Sequence, residues 1–240
     1  MTGFKNTYED DAYAAAYARM EFPGTYYLAY RDLPEILSEH VSGTSALDFG
    51  CGAGRSSRFL KKLGFGVIGI DIAPEMIRHA EQIDPEGDYR LVSPGSFGAL
   101  GSARFDLILA AFPFDNIPMA IKPGLFEGLA GLLTAGGRIV NLASTPDIYT
   151  NEWASFSTKD FPENKQKQPG EIVKVICFDI DDQTIVEDIV CDEAEYQRVY
   201  AQAGLRIVES RLPLGRQGEP TDWVSEETIA PWRIDVLEKS

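Results

Sequence analysis

The sequence predicts an α/β fold, a doubly wound and mostly parallel sheet with helices on both faces. Two observations lead there: short apolar runs alternate with helical stretches from Ser45 to Ser144, and a glycine-rich turn joins the first run to the helix after it. Ahead of the alternation, residues 8–40 are rich in Tyr and Ala and carry Leu33, Ile36 and Leu37 at helical spacing. They read as two helices broken at Phe22-Pro23-Gly24, because Pro and Gly interrupt helices. Ala46–Phe49 is then a buried strand, Arg55–Leu63 a helix, Val67–Ile70 a strand, and Pro74–Gln82 a helix with Pro in its first turn. Tyr89–Val92 is a short strand, Phe105–Ala111 a long apolar one, and Leu125–Leu133 a helix. Gly136-Gly137 turns the chain into a further strand, Arg138–Ala143.

The alternation stops at Ser144. Residues 145–170 read as a loop-rich insertion, and Ile172–Ile180 with Thr184–Val190 as a hairpin around Asp181-Asp182-Gln183. Glu193–Ala203 is a helix capped by Gly204, and Leu205–Leu214 and Trp232–Leu237 are the last strands. The expected organisation is one domain over 1–240: an N-terminal helical cap (1–43), a ligand-binding core (44–143), the insertion and hairpin (144–191), and a C-terminal helix and strands (192–240).

Composition narrows the function. With 22 Lys and Arg against 37 Asp and Glu, the net charge of −15 disfavours nucleic acid and anionic membrane surfaces, since affinity for both is built on basic groups. A content of 44% hydrophobic and 25% charged residues is that of a globular protein. The three cysteines, Cys51, Cys177 and Cys191, form no C-x-x-C pair, and His40 and His79 are the only histidines, so neither a disulfide framework nor a metal site is expected. The N-terminus lacks the apolar core of a signal peptide, and no run approaches the ~20 residues that span a bilayer. The expected location is cytoplasmic, and the expected form is a monomer or homodimer.

The most informative segment is Leu47-Asp48-Phe49-Gly50-Cys51-Gly52-Ala53-Gly54-Arg55. Its glycines lie between a strand and a helix, where a ligand can approach backbone that carries no Cβ. A dinucleotide fingerprint, G-x-G-x-x-G, needs a glycine at 55, where this chain has Arg, which counts against a nicotinamide oxidoreductase. Asp71 ends the second strand, where an acid can accept from both hydroxyls of a ribose; the competing reading is that it caps the helix starting at Pro74.

Leu47–Gly54 together with Val67–Asp71 resembles the first two binding motifs of class I S-adenosylmethionine (SAM)-dependent methyltransferases of the small-molecule type. Phe105–Phe112 and Leu133-Thr134-Ala135-Gly136-Gly137 are similar to the family's fourth strand and late L-x-x-G-G turn, so the resemblance covers residues 44–143 well. It implies a Rossmann-like sheet with an antiparallel final strand, and methyl transfer from SAM, leaving S-adenosylhomocysteine (SAH), to O or N of a small acceptor. It also implies that Asp48 lies near the methionine amino group, that Gly50, Cys51, Gly52 and Gly54 admit the methionine and ribose, that Asp71 holds the ribose, and that Ile72 and Met76 flank the adenine. After the third strand the family often has an acid; here Ser93-Pro94-Gly95-Ser96-Phe97 stands instead, making Ser96 and Phe97 the candidate adenine contacts. A SAM- or SAH-binding protein without transferase activity is the alternative that these motifs do not separate.

In-line methyl transfer mainly requires alignment, and a base only where the nucleophile loses a proton. Ala111 and Phe112 border the transferring methyl in this reading, and Asp115 is the candidate catalytic residue, orienting an amine or deprotonating a hydroxyl. The competing reading makes Phe112 and Phe114 core and Asp115 a cap. The segment resembles the N-P-P-[FY] turn of nucleic-acid-base methyltransferases but departs from it at Ala111 and Phe112. The insertion, with Tyr149, Asn151, Glu152, Trp153, Phe156, Phe161 and Glu163, reads as a lid or as a packing flap. Tyr17 and Tyr26, among Tyr8, Tyr13 and Tyr27, are the candidates for reaching the methionine carboxylate from the cap. His79 reads as solvated, His40 as a helix-closing residue, Cys51 as small and structural with exposure enough for alkylation, and Asp179–Asp182 as a hairpin turn rather than a metal site.

Overall fold

A computed structural model describes residues 22, 24–179 and 185–240. Two short helices, α1 (Tyr26–Arg31) and α2 (Leu33–His40), precede β1 (Ser45–Phe49), α3 (Arg55–Lys62), β2 (Gly66–Asp71), α4 (Pro74–Ile83) and β3 (Asp88–Leu91). Next come β4 (Phe105–Ala111), α5 (Pro113–Asn116), α6 (Lys122–Gly131) and β5 (Leu133–Ser144). The insertion holds the two-residue β6 (Phe156–Ser157) and the pair β7 (Ile172–Cys177) and β8 (Ile185–Ile189). The chain closes with α7 (Glu193–Gln202), β9 (Leu205–Arg211) and β10 (Trp232–Lys239).

The main sheet has seven strands in the order β3-β2-β1-β4-β5-β10-β9. β1 to β5 run parallel, and β10 is antiparallel to both neighbours. The strand order reverses between β1 and β4, and ligands bind beyond the strand ends at such a point. β4 shows why its run is wholly apolar: Leu107 and Leu109 join a core layer with Leu33 and Ile36 of α2, while Ile108 and Ala110 join the opposite layer with Phe126 and Leu129 of α6. Both faces are covered, so polar alternation is absent.

The insertion forms a second, antiparallel sheet in the order β6-β7-β8. Val173, Val175 and Cys177 turn inward onto the layer that holds Trp232, as do Tyr149, Trp153 and Phe156. The expected hairpin is therefore present, while its Asp181-Asp182-Gln183 turn lies outside the described residues, as do Tyr8, Tyr13, Tyr17 and the first N-terminal helix. The second N-terminal helix is divided at Asp32. The helix expected over Leu125–Leu133 ends at Gly131, and Gly136-Gly137 lies inside β5 rather than at a turn before it. A Cβ on Gly137 would stand 2.7 Å from the Phe105 carbonyl oxygen, so glycine there permits the close approach of β5 to β4 across a register shift. The strand from Leu205 stops at Arg211, ahead of Pro213, which has no N–H for a ladder. Among the described residues no helix is long and apolar enough to cross a membrane.

Candidate functional site

The carboxyl ends of β1, β2, β4 and β5 converge on one crevice. The turn after β1 is fastened to β2 twice: Gly50 N and Cys51 N donate to the Ile70 carbonyl at 2.9 and 3.0 Å, and Gly52 N donates to Asp71 Oδ2 at 2.8 Å. Asp71 Oδ1 accepts from Ala73 N at 2.9 Å, a local turn ahead of α4, whose N-cap is Ala73 and whose start no side chain caps, so the competing reading of Asp71 as the helix cap is corrected. One carboxylate thus holds both the glycine turn and the segment leading into α4. Burial raises its pKa, and the backbone amides that it accepts from oppose the rise.

The three glycines serve different purposes. Gly50, Gly52 and Gly54 all have positive φ, a conformation costly for other residues. A Cβ on Gly50 would lie 2.5 Å from Pro113 Cβ, and one on Gly54 would lie 2.5 Å from Tyr89 Oη, so packing alone already requires glycine at these two positions. Only at Gly52 is the space open, with Met76 Sδ 3.9 Å away. Cys51 is buried with Ile77, Ala80 and Tyr89, and burial pushes its thiol well up, so the expected alkylation-sensitive exposure is corrected to a packed, protonated thiol.

Asp48 is fully buried in the middle of the site. Its Oδ2 accepts from Ser56 Oγ at 2.7 Å and Ser57 Oγ at 2.5 Å, while its Oδ1 is buried without a hydrogen-bond partner. Burial pushes the carboxyl up to about 6. A buried orphan oxygen on an acid is costly unless a donor arrives.

At the end of β4, Phe112 has φ of +70°, and it is the one described non-glycine residue with positive φ. Such strain in a non-glycine residue clusters at functional sites. Its ring meets Tyr26 edge-on at 5.7 Å and Trp232 at 4.7 Å, and Tyr26 also touches Phe156 at 5.4 Å. Phe112 and Phe114 part company: Phe114 is core, stacked on Phe126 at 4.0 Å. Ala111 and Ile72 are half-buried and Met76 is buried. Ser96 is exposed, and the half-buried Phe97 packs towards Phe49 and over Gly128, whose absent side chain makes room for the ring.

Asp115 is no open base. It is buried on α5 and accepts from Ser144 Oγ at 2.7 Å and from Ser144 N at 3.1 and 3.2 Å. Its neighbour in charge is Asp188 of β8, which accepts from Asn116 Nδ2 at 2.7 Å and from Tyr149 Oη at 3.2 Å. Burial pushes Asp115 up to about 6, and burial with the nearby Asp115 charge pushes Asp188 up to about 7. The buried Lys122, which donates to the Phe114 carbonyl at 2.7 Å, favours the ionised acids. This inserted-hairpin acid escaped sequence reasoning, since nothing local to Glu187-Asp188 marks it. Arg55, which departs from the dinucleotide fingerprint, has a packing role that its spacing does not reveal: its guanidinium lies over the rings of Tyr26, Tyr30 and Phe22 at 4.8, 5.5 and 5.7 Å. His40 closes α2 against Glu209 of β9, and with the exposed Glu39 these two half-buried residues form a small cluster.

These elements therefore carry an unpaired buried acceptor at Asp48, a carboxylate at Asp71 tied to the glycine turn beside the open Gly52 position, and the buried acids Asp115 and Asp188, both raised by burial. Comparison with known proteins agrees with this geometry. Residues 47–139 match the model of a methyltransferase domain family. A ubiquinone biosynthesis O-methyltransferase of Xanthomonas oryzae pv. oryzae is 29% identical over 103 residues, 41% of this chain and 42% of that protein. The chain thus matches under half the length of such curated relatives. The CcbJ methyltransferase of Streptomyces caelestis superposes with a TM-score of 0.63 at 17% identity, over 92% of this chain and 100% of that one. Magnesium protoporphyrin IX methyltransferase of Synechocystis PCC 6803, with bound SAH, superposes with a TM-score of 0.62 at 15% identity, over 98% and 95%. At these identities the superpositions establish the shared fold.

Proposed function

We propose that this chain, whose residues 47–139 match a methyltransferase domain family, is a class I methyltransferase that transfers a methyl group from SAM to O or N of a small-molecule acceptor. The observation that carries the reading is the orphan Oδ1 of Asp48, beside a glycine turn tied to Asp71 at the point where strand order reverses. In this reading Asp48 accepts from the methionine ammonium. Gly52 leaves room for the ligand, Asp71 receives the ribose hydroxyls on its remaining lone pairs, and Ile72 and Met76 bound the adenine. Bound SAM supplies a methyl carried on a sulfonium, ready for displacement.

The chain's own residues do the rest. Phe112 and Tyr26 shape the place where an acceptor meets the methyl, and their ring faces favour positive charge. Asp115, buried and held by Ser144, fixes the turn after β4 that carries Phe112 and does not itself meet the acceptor. The insertion excludes water by packing its aromatic residues against the sheet. The acidic surface supports an acceptor other than nucleic acid, and the two core layers on one sheet support a single domain. The test is calorimetric titration with SAM and SAH, followed by assay of SAH release against candidate acceptors. Failure of both ligands to bind would remove the reading.

A further inference from the structure

Alternation along the inserted hairpin sorts its residues onto two faces. Val173, Val175 and Cys177 of β7 are buried on the core layer that holds Trp232. Opposite them on β8, Val186 packs on the same layer and Asp188 accepts from Asn116 of α5. The residues in between point the other way. β7 and β8 pair antiparallel with Ile172 opposite Ile189, Lys174 opposite Glu187 and Ile176 opposite Ile185, and directly opposed residues share a face. The outward face is therefore two rows of isoleucine with an ion pair between them. Ile172 is 54% exposed and Ile185 is 48% exposed, while Ile176 and Ile189 are half-buried. Lys174 Nζ stands 3.2 Å from Glu187 Oε1. Beyond Ile172, Met119 Cγ lies 3.7 Å from where a Cβ on Gly170 would stand, so the turn that carries the exposed Ile121 adjoins this end of the hairpin.

An antiparallel sheet with one solvated face ordinarily puts polar residues on that face. Here four of the six outward positions are isoleucine. Single apolar residues on a surface need no explanation, but a contiguous patch marks an interaction site. The charge of the patch says what can meet it. The chain carries a net −15, so two copies repel wherever acids predominate, whereas one Lys and one Glu make these six positions formally neutral.

We propose that this face binds the same face of a second copy of the chain, across a two-fold axis that runs parallel to the strands midway between β7 and β8. Such a contact is self-complementary. The axis carries β7 onto β8, so Ile172 meets Ile189 of the second copy, Ile176 meets Ile185 of the second copy, and Lys174 meets Glu187 of the second copy. The two ion pairs form a square of alternating sign, which fixes the register. An axis at right angles to the strands in the same plane would set lysine against lysine. Each copy offers roughly 500 Å² here, short of the ~800 Å² per partner in a standard interface, so the dimer is weak and forms as concentration rises.

Sedimentation velocity of the full chain between about 5 and 500 µM, the range suited to a small interface, tests this. The native chain should move from its 26.5 kDa mass towards twice that value. Lys174→Glu puts four acids in the square and Glu187→Lys puts four cations there, so each alone should require roughly tenfold or more higher concentration to associate. An equimolar mixture of these two variants joins an all-acidic face to an all-basic one and should associate at least as well as the native chain. A chain carrying both exchanges should behave as native, and Ile185→Asp should abolish association. These side chains face solvent in the single chain, so every variant should keep the native melting temperature, which separates loss of contact from loss of fold. A native chain that stays monomeric over the whole range, association untouched by the single exchanges, or folded charge variants that fail to pair when mixed would overturn the proposal.

Discussion

Asp48→Asn separates binding from folding. In the native chain Oδ2 is satisfied by Ser56 and Ser57 and Oδ1 by no protein group. An Asn side chain can keep its oxygen on the two serines, leaving an NH₂ where the orphan oxygen was. The donor then faces the ammonium of the methionine moiety, so a charge-assisted hydrogen bond worth about 1.5–3 kcal/mol is lost and a donor–donor contact replaces it. SAH affinity should fall by roughly 10- to 150-fold or more. Stability should move the other way. Burial raises this carboxyl from 3.8 to about 6, so the folded state holds its proton more tightly than the unfolded one. The associated stability is present below the unfolded value and is lost as pH rises to about 6. At neutral pH the loss is about 3 kcal/mol, at roughly 1.4 kcal/mol per pKa unit. The neutral amide removes that penalty, offset in part by its own buried NH₂, so the melting temperature should hold or rise by up to roughly 6–12 °C, at about 2–4 °C per kcal/mol. Calorimetry with SAH and a thermal melt on the same sample check both. An affinity within about threefold of the native chain, or weak binding accompanied by a clear loss of stability, would refute the reasoning.

Four further outcomes are expected. Asp71→Ala removes the acceptor for both Gly52 N and Ala73 N, so SAH binding should weaken roughly tenfold or more and urea unfolding should come earlier. Gly52→Val projects into open space and should abolish SAH binding with the fold intact, whereas Gly54→Ala collides with Tyr89 and should chiefly lower the melting temperature. Glu226→Ala strands four donors, Thr25 Oγ1 and the backbone N–H groups of Ala154, Val224 and Ser225, and should cost about 3–5 kcal/mol in urea unfolding; a change of under ~1 kcal/mol would show that the buried network is replaceable. Because Asp115 and Asp188 are raised to about 6 and about 7 from 3.8, their stabilisation is complete below the unfolded value and disappears as pH climbs to about 7. The urea midpoint should decline over that window, and Asp188→Asn should flatten the decline; a native profile without it would contradict the buried pair.

Local chemistry made much of this molecule legible from the chain alone. Apolar runs placed every strand of the main sheet, β1 to β5 within the alternation and β9 and β10 after it, because a strand buried on at least one face has a composition that loops lack. The turn after β1 and the acid at the end of β2 stood out because a chain must discard side chains to bring backbone to a ligand. Tertiary structure decided the rest. It divided the three glycines into two that make room for Pro113 and Tyr89 and one that leaves space open, a distinction set by neighbours distant in sequence. It brought Asp188 to Asp115 and Glu226 to Thr25, 201 positions away. Such pairings depend on how layers stack, and a buried carboxylate has the same one-letter code as a solvated one.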